Sequence, residues 1–156
     1  MNIEHYHRLT KQAVALLEGE PDLIANLSNL SALLNLELDR LNWVGFYLLK
    51  DAQLVLGPFQ GKPACVGIPV GRGVCGTAIE TNTVQRIHDV HQFEGHIACD
   101  AASNSEIVIP FSVDGQLVGV LDIDSPEVGR FSEIDEEGLT FLVREVEKVL
   151  NSHANK

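Results

Sequence analysis

An α+β fold, a central antiparallel sheet with helices from both chain ends on one face, follows from three features of this 156-residue sequence. Two pairs of period-two segments are each joined across a tight turn. Both ends of the chain carry helical apolar stripes. Between the strand pairs lies a long, irregular, cysteine-bearing stretch, the natural cover for the sheet's other face. The chain is most simply one domain, residues 1–156, long enough to bury a proper core.

Residues 3–17 set Ile3, Tyr6, Ala13, Leu16 and Leu17 on roughly one helical face. A second helix is expected to begin near Pro21, where a missing N–H is harmless, and to run through Leu23, Leu27, Leu30 and Leu34. The period then drops to two. Asn42–Leu49 and Ala52–Pro58 read as strands joined around Lys50–Asp51, and Glu106–Val113 and Gln116–Asp124 as a hairpin about Asp114–Gly115. The last helix starts at Ser132, where Ser-x-x-Asp resembles a capping box, and carries Leu139, Leu142, Val146, Val149 and Leu150 as its stripe.

Residues 60–103 are rich in Gly, Pro, His and Cys, with a short helix expected at Val74–Glu80 and a short strand at Val84–Ile87. So long an irregular segment in a small domain reads as a lid or binding loop.

Alternation sorts the strand residues by face. Val44, Phe46 and Leu48 point one way, as do Ile107, Ile109 and Phe111, and Leu117, Leu121 and Ile123. Trp43 and Tyr47, Glu106 and Val108, and Val118, Val120, Asp122 and Asp124 point the other. If the strands are neighbours, the second face gathers two aromatics and three carboxylates. Acids inside apolar strands are costly to bury unpaired, so a polar ligand is expected to meet them. The bland alternative places them in water at a strand end.

A formal charge of −11 repels nucleic acid and anionic membranes. No run approaches a membrane span, and the start lacks the basic flank and apolar stretch of a secretory signal, so the cytoplasm is expected. Three cysteines, Cys65, Cys75 and Cys99, argue against a structural disulfide framework there. They are packing residues, ligands or reactive groups. Cys75, close to a helix start, is a candidate for activation by the helix dipole. A free thiol otherwise has a pKa near ~8.5 and is mostly protonated at neutral pH. His88, His91, His96 and Cys99 read H-x2-H-x4-H-x2-C, a spacing that matches no common zinc motif, and no metal site is expected.

Five segments carry a resemblance: NWVGFYLL, LGPFQGKPAC, GRGVCGTA, IACDAASNSEIVIP and VLDIDSP, together with the spacing C-x9-C-x23-C. In these the chain resembles the free methionine-(R)-sulfoxide reductases, single domains of GAF fold. The resemblance implies a GAF-like architecture and reduction of the R epimer of free L-methionine sulfoxide to methionine. It implies Cys99 as attacking thiol, Cys65 as resolving partner and Cys75 as another resolver or alternative nucleophile. It also implies Glu106, Asp122 and Asp124 as substrate-binding acids, Trp43 and Tyr47 as pocket aromatics, and a homodimer. No Rossmann or flavin motif is evident, so no bound cofactor is expected and thioredoxin is the expected external reductant. The competing expectation is a GAF sensor that binds a small molecule without converting it.

Overall fold

The computed structural model describes residues 1–95 and 102–154. In chain order the elements are α1 (Ile3–Leu17), α2 (Leu23–Glu37), β1 (Trp43–Lys50), β2 (Gln53–Gly61), β3 (Gly67–Pro69), α3 (Gly73–Thr81), β4 (Gln85–Ile87), β5 (Ser105–Val113), β6 (Gln116–Ser125) and α4 (Glu133–Ala154). A 3₁₀ turn, Val90–Gln92, follows β4. β3 and this turn lie in the segment where the sequence shows no clear period.

The helix starts follow capping chemistry. Asn2 and His5 form a reciprocal capping box on α1. α2 begins two residues later than expected because Asp22, not Pro21, organises its first turn: the Asp22 side chain accepts from the Ala25 N–H. At α4 the predicted box is present, with Ser132 N–H donating to Asp135 and Asp135 N–H donating to the Ser132 hydroxyl.

The strands form one antiparallel sheet in the order β3-β2-β1-β6-β5-β4. Both hairpin turns have two central residues in the left-handed region, Asp51 and Ala52 in one, Asp114 and Gly115 in the other, which matches the right-handed twist of the strands. The first turn sits one residue beyond the expected place, since Lys50 already pairs with Gln53.

The helix-covered face is as the alternation predicts for β1 and β5: Val44, Phe46, Leu48, Ile107, Ile109 and Phe111 are buried with the apolar faces of α1, α2 and α4. β6 departs from the prediction at its start. Phe111 pairs with Gly119 but Ser112 with Leu117, so Val118 is an extra residue and the alternation flips there. Val118 packs on the helix side and Leu117 on the other, the reverse of the period-two reading, whereas Val120, Leu121, Asp122 and Ile123 keep their expected faces. Next to the bulge, β1 runs very close to Gly119. A Cβ on Gly119 would lie 2.2 Å from the Tyr47 carbonyl oxygen, so only glycine fits.

One buried ion-pair cluster ties the helix layer to the chain. Arg130, 6% exposed, pairs with Asp135 at 3.2 Å and with Asp39 at 3.1 Å, and the Tyr6 hydroxyl donates to Asp135. Burial raises the Asp135 pKa, but donation from Ser132 and Tyr6 and the charge of Arg130 outweigh it, and the carboxyl ends below its ordinary value. No helix among the described residues is long and apolar enough to cross a membrane.

Candidate active site

On the opposite face of the sheet, the order β1-β6-β5 turns a sequence pattern into a site. Trp43 pairs with Asp124, and Asp124 pairs with Glu106, so one rung across three strands carries an aromatic and two acids. The next rung pairs Gly45 with Asp122 and Asp122 with Val108. The five residues expected on this face, Trp43, Tyr47, Glu106, Asp122 and Asp124, all line one cavity of about 50 Å³. That is room for a handful of waters or one small solute.

α3 closes the cavity from above. It brings Gly73, Val74 and Cys75 to the lining, and the loop after β2 brings Pro63 and Ala64. Cys75 Sγ donates to Glu106 Oε2 at 3.9 Å, and a ligand atom from each of Cys75, Glu106 and Asp122 lies within 4.8 Å of the others. All three side chains are buried.

The electrostatics of this cluster are those of crowded acids. Burial first, then the neighbouring Asp122 and Asp124, push the Glu106 carboxyl well above its ordinary pKa. Cys75 is affected in the same direction. Burial, then Asp122, Glu106 and Asp124, raise its thiol well above the ordinary range. The expected activation by the helix dipole is therefore overturned: three carboxyl groups and burial outweigh half a charge at the end of a nine-residue helix. Cys75 is a protonated, buried thiol.

The aromatic wall is a stack. Trp43 lies between Phe59, with centroids 5.1 Å apart, and Tyr47, at 5.8 Å. Both pocket aromatics also reach the loop beyond β2: Trp43 Nε1 donates to the Lys62 carbonyl at 3.2 Å and Tyr47 Oη to the Cys65 carbonyl at 2.9 Å. Burial and the surrounding acids raise the Tyr47 pKa, so its phenol stays a donor. Cys65 is disulfide-bonded, and Cys75 is a free thiol. Cys99, the expected attacking thiol, and His96 lie outside the described residues. Among the described residues His88 and His91 join no cluster of metal-ligating side chains: the His88 backbone accepts from Gly129, and the His91 ring bonds Asn104.

Sequence reasoning missed Arg72 and Ser103, which also line the cavity. Arg72 stands in the quoted GRGVCGTA segment and is the one cationic side chain among the described lining residues, a signal available to inspection. Ser103, which accepts from Asn42 Nδ2, had none: its place depends on how the chain enters β5.

Comparison with known proteins adds the remaining evidence. A family profile described as GAF domain matches residues 14–151. A protein of Escherichia coli named free methionine-R-sulfoxide reductase is 63% identical over 147 residues, covering 94% of this chain and 89% of that protein. A Saccharomyces cerevisiae protein of the same name is 44% identical over 142 residues, covering 85% of this chain and 78% of that one. The solved Staphylococcus aureus structure described as fRMsr in complex with substrate is 57% identical, with a TM-score of 0.88, covering 93% of this chain and 95% of that one.

Proposed function

This chain belongs to the free methionine-R-sulfoxide reductase family of GAF domains, and from that premise we propose that it reduces the R epimer of free L-methionine sulfoxide to L-methionine. The observation that carries the reading is the place of Glu106: a buried carboxyl beside Asp122 and Asp124, its pKa raised by burial and by those two acids, inside a cavity walled by aromatics and bordered by the loop of Cys65.

Reducing a sulfoxide needs a nucleophile at sulfur and a proton at the departing oxygen. The Cys99 thiolate attacks the substrate sulfur while Glu106 protonates the sulfoxide oxygen. Methionine leaves, and the oxygen stays on Cys99 as a sulfenic acid. The Cys65 thiol then displaces it as water, forming a disulfide and halting further oxidation. That Cys65 is engaged in a disulfide while Cys75 keeps its thiol supports Cys65 as the resolver. Cys75, protonated and buried, is the slower alternative.

The same cavity accounts for selection of the free amino acid. Asp122 and Asp124 favour the α-ammonium, which a peptide-bound residue lacks, and Arg72 answers the α-carboxylate. The Trp43 and Tyr47 rings pack on the S-methyl group and separate the epimers. The unit acts as one GAF-like domain, as a homodimer in the cytoplasm, and takes its electrons from thioredoxin, whose potential of about −270 mV suits a labile disulfide.

The deciding assay incubates the protein with dithiothreitol and racemic free methionine sulfoxide and measures methionine. Consumption of half the racemate is expected. No consumption, with saturable binding, would replace the enzyme with a small-molecule sensor.

A further inference from the structure

The segment between Gly61 and Gly67 leaves the end of β2 and enters β3, and it carries Cys65 two residues before β3. Two side chains of β1 reach it: Trp43 Nε1 donates to the Lys62 carbonyl, and Tyr47 Oη donates to the Cys65 carbonyl itself. Trp43 and Tyr47 are four residues apart on one strand face, so the two anchor points fall at the two ends of Lys62–Cys65. Gly61 sits against the same ring. A Cβ there would lie 2.5 Å from Trp43 Cδ1, and its φ of +143° belongs to glycine.

We infer that Trp43 and Tyr47 are positioning residues for the resolving thiol, holding the Lys62–Cys65 loop where Cys65 closes its disulfide, in addition to walling the cavity. This goes beyond their expected packing on substrate and rests on the reductase reading only for the identity of the oxidant. The rings are suited to the task. Trp43 is 3% and Tyr47 2% exposed, and both are stacked in a row with Phe59, so the donors are fixed by packing before the loop is held. Burial and the adjacent acids keep the Tyr47 phenol protonated, so the hold does not lapse at high pH. The step it assists is condensation of a protein sulfenic acid with the Cys65 thiol, which forms the S–S bond and releases water. Its rate depends on how often Cys65 is within reach, which the two hydrogen bonds govern.

The test separates closure from catalysis by using two oxidants on the reduced protein, methionine sulfoxide and hydrogen peroxide, without external reductant. Disulfide closure is followed by counting alkylatable thiols, and sulfenic acid by trapping with dimedone. Tyr47→Phe removes one donor and keeps the ring; Trp43→Phe removes the other. Each is expected to slow closure after peroxide roughly fivefold, the size of one lost hydrogen bond, with a longer-lived sulfenic acid. In a Cys65→Ser background the rate of sulfenic acid formation by peroxide is measured for the same substitutions, and the slowing of closure is expected to exceed any change in that rate, because closure, unlike oxidation, needs the Cys65 thiol held in place. Closure at the wild-type rate in both variants would overturn the inference. So would equal slowing of sulfenic acid formation in the Cys65→Ser background, which marks a general disturbance of the pocket. If wild-type protein releases no methionine but closes its disulfide with peroxide, the reductase reading fails, and the tether is still decided by the closure rates.

Discussion

Glu106 on β5 stands directly across the ladder from Asp124 on β6, and both face the cavity. Opposed residues in an antiparallel pair have Cβ atoms about 5 Å apart, too close for two carboxylates to ionise freely in a buried site. Burial first, then Asp122 and this pairing with Asp124, raise the Glu106 pKa well above its ordinary value.

A pH dependence follows. The folded pKa of Glu106 lies above its unfolded value, so the folded chain binds more protons and stability falls as pH rises from about 4 toward the folded pKa. Glu106→Gln removes this loss. Its stability should match the parent near pH 4 and exceed it above, the gap widening by at most ~1.4 kcal/mol per pH unit. The same variant should lose methionine formation by 10²-fold or more, as expected for a missing general acid. Thermal melts and turnover across pH 4–8 check both. A gap between Glu106→Gln and the parent that stays constant over that range refutes the raised Glu106 pKa.

Cysteine replacements should sort by role. Cys99→Ser should abolish reduction. Cys65→Ser should still release one equivalent of methionine and then stall without added small thiol. Cys75→Ser should change the first turnover by less than about threefold, because its thiol is held protonated. Single-turnover methionine yield separates Cys99→Ser from the other two, and steady-state turnover with thioredoxin separates Cys65→Ser from Cys75→Ser.

For recognition of the free amino acid, Asp124→Asn should raise KM about tenfold or more with a smaller change in kcat, and Arg72→Leu should weaken discrimination between methionine sulfoxide and its carboxamide. Charge-assisted contacts of this kind are worth roughly 1.5–3 kcal/mol. Unchanged KM values for both variants would remove these ion contacts from the account.

Far from the cavity, Asp135→Asn should cost about 3–5 kcal/mol, since it leaves the buried Arg130 short of its carboxylate partner. The folded pKa of Asp135 is below its unfolded value, so its contribution is present above the unfolded pKa and is lost as pH falls through the folded one. The destabilisation should therefore shrink in acid. A urea titration at pH 7 and pH 3 measures it.

Much of the site was legible because period-two alternation survives wherever a strand is regular. Trp43, Tyr47, Glu106, Asp122 and Asp124 were sorted to one face from spacing alone, and all five line the cavity. Leu117 and Val118 were misassigned because a bulge adds one residue and reverses the faces, and no local residue preference announces that. The dipole reading of Cys75 failed for a different reason. Its helix was visible in the sequence, but the three acids around it come from other strands.

By itself, then, the order of residues determined which side chains share a face where the strands are regular, that two hairpins form, and which family the motifs belong to, because these depend on near neighbours in the chain. Only the tertiary structure decided that β6 lies between β1 and β5, that Asp124 therefore meets both Trp43 and Glu106, and that Tyr47 reaches the Cys65 carbonyl. Those contacts span 18 to 81 residues of sequence, and strand order and register, which no local pattern encodes, set both the proton on Glu106 and the place of the loop.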